Sequence, residues 1–282
     1  MKIAIFANEL KGQAPEVLKD LSHYFQERGW EVPVEQIDSS PQLDLGALRS
    51  ILESCDFVVS IGGDGSILHL VHRIGIPHPP LIGVNLGSLG FLADIPVHDM
   101  FGSFDAICRG ACHISERLVI EGTVGNGFSN FAVNEIAVHR GDHPNLVDLA
   151  IHIDGEFVNT FSADGVIIAT PCGSTAYSLA AGGPIVMPSL SALILTPICP
   201  HTISNRPIVI TPRESVTIEL WHGAENVDVT FDGQIPTLLR QGETLEIRVS
   251  KNSFKLVTLA SSDFFTTLRT KLGWTGSLRR QV

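Results

Sequence analysis

The sequence predicts a doubly wound, Rossmann-like α/β domain at the N-terminus, an all-β sandwich domain after it, and a C-terminal helix returning to the first domain. Three patterns carry this. Strand-like and helix-like segments alternate through the first third of the chain. From about Glu116 the apolar runs become short, closely spaced and strand-like, and the tail turns helical again over Asp263–Leu272. The expected domains are residues 1–115, with 262–282 packing back on them, and residues 116–261.

In the first region Lys2–Ala7 reads as a strand, and Pro15–Arg28 as a helix that opens on proline and stops before Gly29. Glu31–Ile37 is extended, Leu43–Glu53 helical, and Asp56–Ile61 a continuous apolar strand. A glycine turn, a helix at Ile67–Ile74 and a buried strand at Leu81–Asn85 follow. Alternation of this kind makes a parallel sheet covered on both faces. Beyond it, Leu118–Val124, Phe131–His139, Leu146–Ile153, Val166–Thr170 and Ile208–Thr211 read as strands. So do Ser215–Trp221, Val227–Phe231, Thr244–Val249 and Phe254–Leu259. Asp154-Gly155 and Asp232-Gly233 are hairpin-turn pairs.

The chain has 282 residues, 44% hydrophobic and 17% charged, the balance of a folded globular protein. A net charge of −11 repels polyanions and argues against nucleic-acid binding. No apolar run reaches transmembrane length, so no membrane association is expected. The five cysteines are scattered without a C-x-x-C pair, which implies thiols in a reducing, cytoplasmic setting. Cys108, Cys112 and His113 have helical spacing but nothing near completes a tetrahedron, so the expectation is a partly buried thiol pair and no metal ligands.

Four segments carry chemistry. Ser60–Leu68 contains Gly62-Gly63-Asp64-Gly65-Ser66 between a strand and a helix, where glycines admit a phosphate and the helix start offers N–H groups. Asp64 in such a loop serves either as a helix-capping turn residue or as a base for a hydroxyl or a partner for magnesium. Asn85-Leu86-Gly87-Ser88-Leu89-Gly90-Phe91-Leu92 is a second glycine-rich strand end. Asn134-Glu135 interrupts an apolar strand, and a buried polar pair needs a partner, either a ligand or an internal network. The longest segment, Asp164–Pro184, feeds a strand into a turn of small and hydroxyl residues. There Tyr177 can stack on a flat ring, with Ser174, Thr175 and Ser178 bonding its edge. A structural turn and helix cap accounts for the same residues.

Taken together these segments resemble the NAD kinase family: GGDGS at 62–66, NLGSLGFL at 85–92, NE at 134–135 and DGVIIATPCGSTAYSLAAGGP at 164–184. PHTISNRP at 200–207 and TKLGW at 270–274 extend the likeness over nearly the whole chain. The GGDG loop alone is shared with phosphofructokinases and lipid kinases. The resemblance implies ATP-dependent phosphorylation of the adenosine-ribose 2′-hydroxyl of NAD to form NADP, in a cleft between the two domains. It makes Asp64 the catalytic base, with Gly65 in the phosphate-facing loop. Asn134, Glu135 and Asp164 become dinucleotide contacts, and Thr175, Ala176, Tyr177, Ser178, Leu179 and Ala180 line the adenine pocket. His69, Asn145, Ser162 and Gln234 stand where relatives often contact NAD. A divalent ion, usually Mg2+, and assembly as a homodimer or homotetramer are also implied. Three departures stand out: Ser66 and Cys172 replace threonines of the usual pattern, and Ser162 is neutral where some relatives carry a basic residue.

Overall fold

A computed structural model of the chain describes residues 1–8, 10–37, 44–125, 127–202, 204–211 and 215–274. The chain divides into two compact units, Met1–Glu116 with Lys255–Val282, and Arg117–Phe254. Leu43, expected to start a helix, and residues 275–282 of the expected returning tail lie outside the described residues.

The elements in chain order are β1 (Lys2–Ala7), α1 (Ala14–Glu27), β2 (Glu31–Ile37), α2 (Leu45–Glu53), β3 (Phe57–Gly62), α3 (Asp64–Ile74), β4 (Leu81–Asn85), β5 (Ile95–Pro96), α4 (Met100–Cys108) and β6 (Cys112–Arg117). Then come β7 (Ile120–Val124), β8 (Ser129–Ala132), β9 (Glu135–His139), β10 (Val147–Ile153), β11 (Glu156–Ala163), β12 (Gly165–Ala169), α5 (Tyr177–Ala180) and β13 (Leu193–Ile198). The chain ends with β14 (Ile208–Ile210), β15 (Val216–His222), β16 (Asn226–Phe231), β17 (Ile235–Arg240), β18 (Thr244–Val249), β19 (Phe254–Leu259) and α6 (Phe264–Leu272).

In the first unit the strands form one sheet in the order β2-β1-β3-β4-β19-β6, with β5 also on β4. The pairs β1–β2, β1–β3, β3–β4 and β4–β19 are parallel. Successive side chains point to opposite faces, so one set, including Ile3, Ile5, Val59, Ile61, Ile82 and Val84, packs with α1 and α4. The opposite face meets α3: a Cβ on Gly83 would stand 2.7 Å from Ile67 Cδ1, and Arg73 lies over the Phe6 ring. Helices thus cover both faces, which is why β1, β3 and β4 read as unbroken apolar runs. The order reverses between β1 and β3, and ligands bind at the carboxyl ends of strands flanking such a switch point.

Caps set the helix ends. Asp44 accepts from the Gly46 and Ala47 N–H groups to start α2. Asp263 accepts from Phe265 and Thr266 to start α6, which ends on Gly273 at φ 63°. The C-terminal helix belongs to the first unit, with the Phe264 ring 5.9 Å from Phe91 and Ser262 Oγ donating to Asp94.

The second unit is a sandwich of two six-stranded sheets, β11-β10-β15-β18-β7-β8 and β14-β13-β12-β9-β16-β17, with antiparallel neighbours. Their inner faces share one core, in which Leu149, Ile218 and Ile247 meet Val138, Ile168 and Phe231. Asp154-Gly155 and Asp232-Gly233 have positive φ at both positions, as two-residue hairpin turns require.

Several sequence expectations are corrected. The single strand expected over Phe131–His139 is two strands in different sheets, broken at Val133-Asn134. The helix expected from Ile67 starts at Asp64, and α4, β11, β13 and β17 had no counterpart in the sequence reading. Of the two cysteines expected as a partly buried pair, Cys112 is half-buried and Cys108 is exposed at the end of α4, and both are free thiols. Among the described residues no helix is long and apolar enough to cross a membrane.

Candidate functional site

At the carboxyl end of β3 the chain turns through Gly62 and Gly63, and α3 starts on Asp64. Asn8, just past β1, closes the switch point: its N–H bonds Ile61 O at 2.9 Å and its Nδ2 donates to Ser66 Oγ at 2.8 Å. The Gly63 N–H also reaches Ser66 Oγ, and a Cβ on Gly62 would sit 2.2 Å from it. The hydroxyl at position 66 therefore braces the loop, a task serine performs as well as threonine.

The Asp64 carboxylate does not cap its own helix. It receives the Phe91 N–H at Oδ2 (2.9 Å) and the Leu92 and Ala93 N–H groups at Oδ1 (3.0 and 2.9 Å). A carboxylate has about four lone-pair positions, so one remains, on Oδ2. Among the described residues no ion pair engages Asp64. The second glycine-rich segment is what holds it. Asn85 Nδ2 donates to the Ser88 and Ala93 carbonyls, its Oδ1 takes the Gly87 N–H, and a Cβ on Gly90 would stand 2.0 Å from Asp64 Oδ1. Gly90 is glycine because the carboxylate occupies that space. Gly65 and His69 are exposed on α3, in its first and second turns.

In the second unit the break between β8 and β9 is tied down by a carboxylate nearly a hundred residues away. Asp232, in the β16–β17 hairpin turn, accepts from the backbone N–H groups of Val133, Asn134 and Glu135 at 2.9, 2.7 and 3.1 Å. Thr170 Oγ1 donates to Val133 O, and the Thr170 N–H donates to Asn134 O. A Cβ on Gly173 would stand 2.1 Å from Asn134 O, so the glycine of the TPCGS turn is demanded by this corner. Glu135 is buried beside the Tyr177 backbone and leaves Oε2 without a partner among the described residues. Burial first, and Asp232 second, push its carboxyl up to about 8.

Tyr177 opens α5 as an exposed residue, 41% accessible. Its hydroxyl is held above the usual range by burial first, then by Cys199, Asp164 and Glu135. Asn134, Glu135 and the start of α5 thus share one corner with Asp232, whose N–H bonds Glu135 O, while Asp164 stands at the opposite end of β12, beside His139 and Arg140 and within electrostatic reach of the Tyr177 hydroxyl. Gln234 follows on the same hairpin turn, its N–H on Phe231 O. Thr175, Ala176 and Leu179 are half-buried around α5 and Ala180 is exposed.

Other expected contacts differ. Ser178 is fully buried and shares a hydrogen bond with Thr196, and Ser174 is spent on Pro171 and Val186, so neither hydroxyl faces a ring edge. Thr175 Oγ1 donates to Cys172 O. Asp164 is ion-paired with Arg140 at 2.6 Å, Ser162 Oγ bonds Asp148, and Asn145 is exposed on the loop before β10.

Two family models match, one described as the ATP-NAD kinase N-terminal domain over residues 3–112 and one as the ATP-NAD kinase C-terminal domain over residues 133–259. The chain belongs to the ATP-NAD kinase family. It is 46% identical over 278 residues to the NAD kinase of Protochlamydia amoebophila, covering 98% of this chain and 99% of that one. Yeast NADH kinase, solved with NADH, superposes with a TM-score of 0.84 at 28% identity, over 100% of this chain and 90% of the other. An NAD kinase from Archaeoglobus fulgidus, solved with ATP, gives 0.76 at 26% identity, over 96% and 99%.

Four residues of this family member escaped the sequence reading: Asn85 and Gly90, quoted only as part of a motif, Asp232, read only as a turn residue, and Arg140. No cluster of three or more His, Cys, Asp or Glu among the described residues could hold a metal ion. With three of its four lone-pair positions taken by amides, Asp64 does not fit as the anchor of a resident divalent ion either.

Proposed function

We propose that this chain transfers the terminal phosphoryl group of ATP to the adenosine-ribose 2′-hydroxyl of NAD, giving NADP and ADP. One observation carries the reading: a carboxylate at the carboxyl end of a parallel sheet, fixed by three amides, outside any described ion pair, with one lone pair left. Phosphoryl transfer asks mainly for placement and charge stabilisation, with modest help for the proton. Asp64 Oδ2 accepts the hydroxyl proton as the ribose oxygen bonds to the γ-phosphorus. The bond from that phosphorus to the β–γ bridging oxygen breaks, and its electron pair leaves on ADP. The glycine-loop N–H groups and the start of α3 receive the phosphate. Mg2+ belongs to the ATP phosphates as part of that substrate.

Asn134, Glu135, Asp164, Gln234 and the 175–180 stretch hold the dinucleotide in this reading, with Tyr177 stacking on the adenine. His69, Asn145 and Ser162 are outer contacts. Assembly as a homodimer or homotetramer in the cytoplasm goes with the same reading. The test is formation of NADP by the purified chain, followed by a coupled dehydrogenase, with ATP, GTP or polyphosphate as donor and NAD or NADH as acceptor. NADP formation with ATP that Asp64→Asn abolishes is the expected result. Dinucleotide binding without turnover would instead make the chain a sensor.

A further inference from the structure

Two acids share the corner at the start of β9, and their surroundings differ. Asp232 has three backbone N–H donors on its two oxygens, the environment of an anion. Glu135, 7% exposed, has the Tyr177 backbone beside it and a buried Oε2 that nothing among the described residues satisfies. An anion there would lack donors and face the Asp232 charge. From α5 the facing group is Tyr177, itself flanked by Asp164 and Cys199. Arg140, past the far end of β9, is bonded to Asp164 and does not compensate Glu135.

Resting on the dinucleotide reading of this corner, we propose that Glu135 meets its ligand as a neutral carboxylic acid. Oε2 carries the proton and donates it in a hydrogen bond to an acceptor atom of the dinucleotide, an oxygen or a ring nitrogen, rather than accepting from a sugar diol. A protonated Glu135 satisfies its own orphaned oxygen through the ligand and adds no second negative charge beside Asp232. Such a donor selects against a ligand whose matching atom is itself a donor, because two donors would be buried face to face.

The affinity for NAD then depends on one proton. For a group titrating at about 8, affinity falls about thirtyfold between about pH 7 and about pH 9.5. The test is calorimetric titration of NAD into the full chain across that range, for the wild type, Glu135→Gln and Glu135→Ala. Glu135→Gln, a neutral donor of the same shape, is expected to bind with an affinity that does not vary with pH. It should bind more tightly than the wild type at the alkaline end, and at least about tenfold more tightly than Glu135→Ala throughout. A glutamine variant no better than the alanine variant, or a pH dependence that survives in it, overturns the proposal while leaving the dinucleotide site standing. A wild type that binds no NAD at any pH overturns both. Carbon-13 NMR of the glutamate carboxyls in the wild type, with Glu135 assigned by difference, reads the state without relying on a variant's folding. Titration near 8 supports the proposal, and titration near the usual carboxylate value overturns it.

Discussion

Asparagine at position 64 keeps the shape of the side chain and changes its hydrogen-bonding capacity in a way the structure makes countable. Three backbone amides need acceptors there, two at Oδ1 and one at Oδ2. The better orientation of asparagine puts its oxygen where Leu92 and Ala93 donate and turns its NH2 toward the Phe91 N–H. One donor is left unpaired, at a cost of about 2 kcal/mol, and the melting temperature falls by about 6 °C. The lone pair assigned to the ribose hydroxyl is replaced by an N–H, so turnover falls ~10²–10⁴-fold. NAD affinity stays within a few-fold, since the dinucleotide contacts assigned here lie elsewhere in the sequence. Initial rates at saturating ATP, calorimetry with NAD and a thermal melt read the three effects separately. Turnover within about tenfold of wild type would refute the base assignment. So would an affinity loss as large as the rate loss, and an unshifted melt would refute the amide count.

Gly90→Ala places a Cβ 2.0 Å from Asp64 Oδ1 and must displace the carboxylate, so activity falls nearly as far as in Asp64→Asn although circular dichroism stays native. Retained activity would show that the carboxylate's position is unimportant. Tyr177→Ala removes the side chain of an exposed residue and is expected to raise the Michaelis constant for NAD about tenfold without shifting the melt. An unchanged constant would exclude stacking. Asp232→Ala strips the acceptor from three buried N–H groups and costs about 3 kcal/mol or more in chemical denaturation, and a loss below about 1 kcal/mol would contradict that role. Glu135 has a folded-state value near 8, above its unfolded value of 4.5, so the folded chain binds the extra proton. Its contribution is fully present below 4.5 and is lost as pH rises through about 8, so Glu135→Gln should melt higher than wild type above that pH. Identical melts there would count against a buried, raised carboxyl.

The parallel sheet was legible because β1, β3 and β4 are buried on both faces and so read as unbroken apolar runs. Helix starts were legible where a side chain caps locally, as Asp263 does for α6. β13 was missed for a physical reason: Pro197 lies in a central strand, opposite Val166, and proline in an apolar run argues against that placement. β11 lacks clean alternation, with Glu156 and Phe157 both exposed. The site was partly legible in Asp64, Asn134, Glu135 and Tyr177, since their residue types are costly or unusual in their local settings. What holds them was not. No local pattern shows that Asp64 reaches the amides of 91–93, or that a hairpin aspartate pins a strand break nearly a hundred residues earlier. Such bonds exist only after the chain has folded.

The β8–β9 break is where the polypeptide leaves one layer of the sandwich for the other, and Asn134 and Glu135 are the first residues beyond it. In the proposed function, recognition and architecture draw on the same few atoms, so a substitution there alters both. A change of ligand preference is therefore better sought at the exposed Tyr177 than at the stitch that joins the two layers.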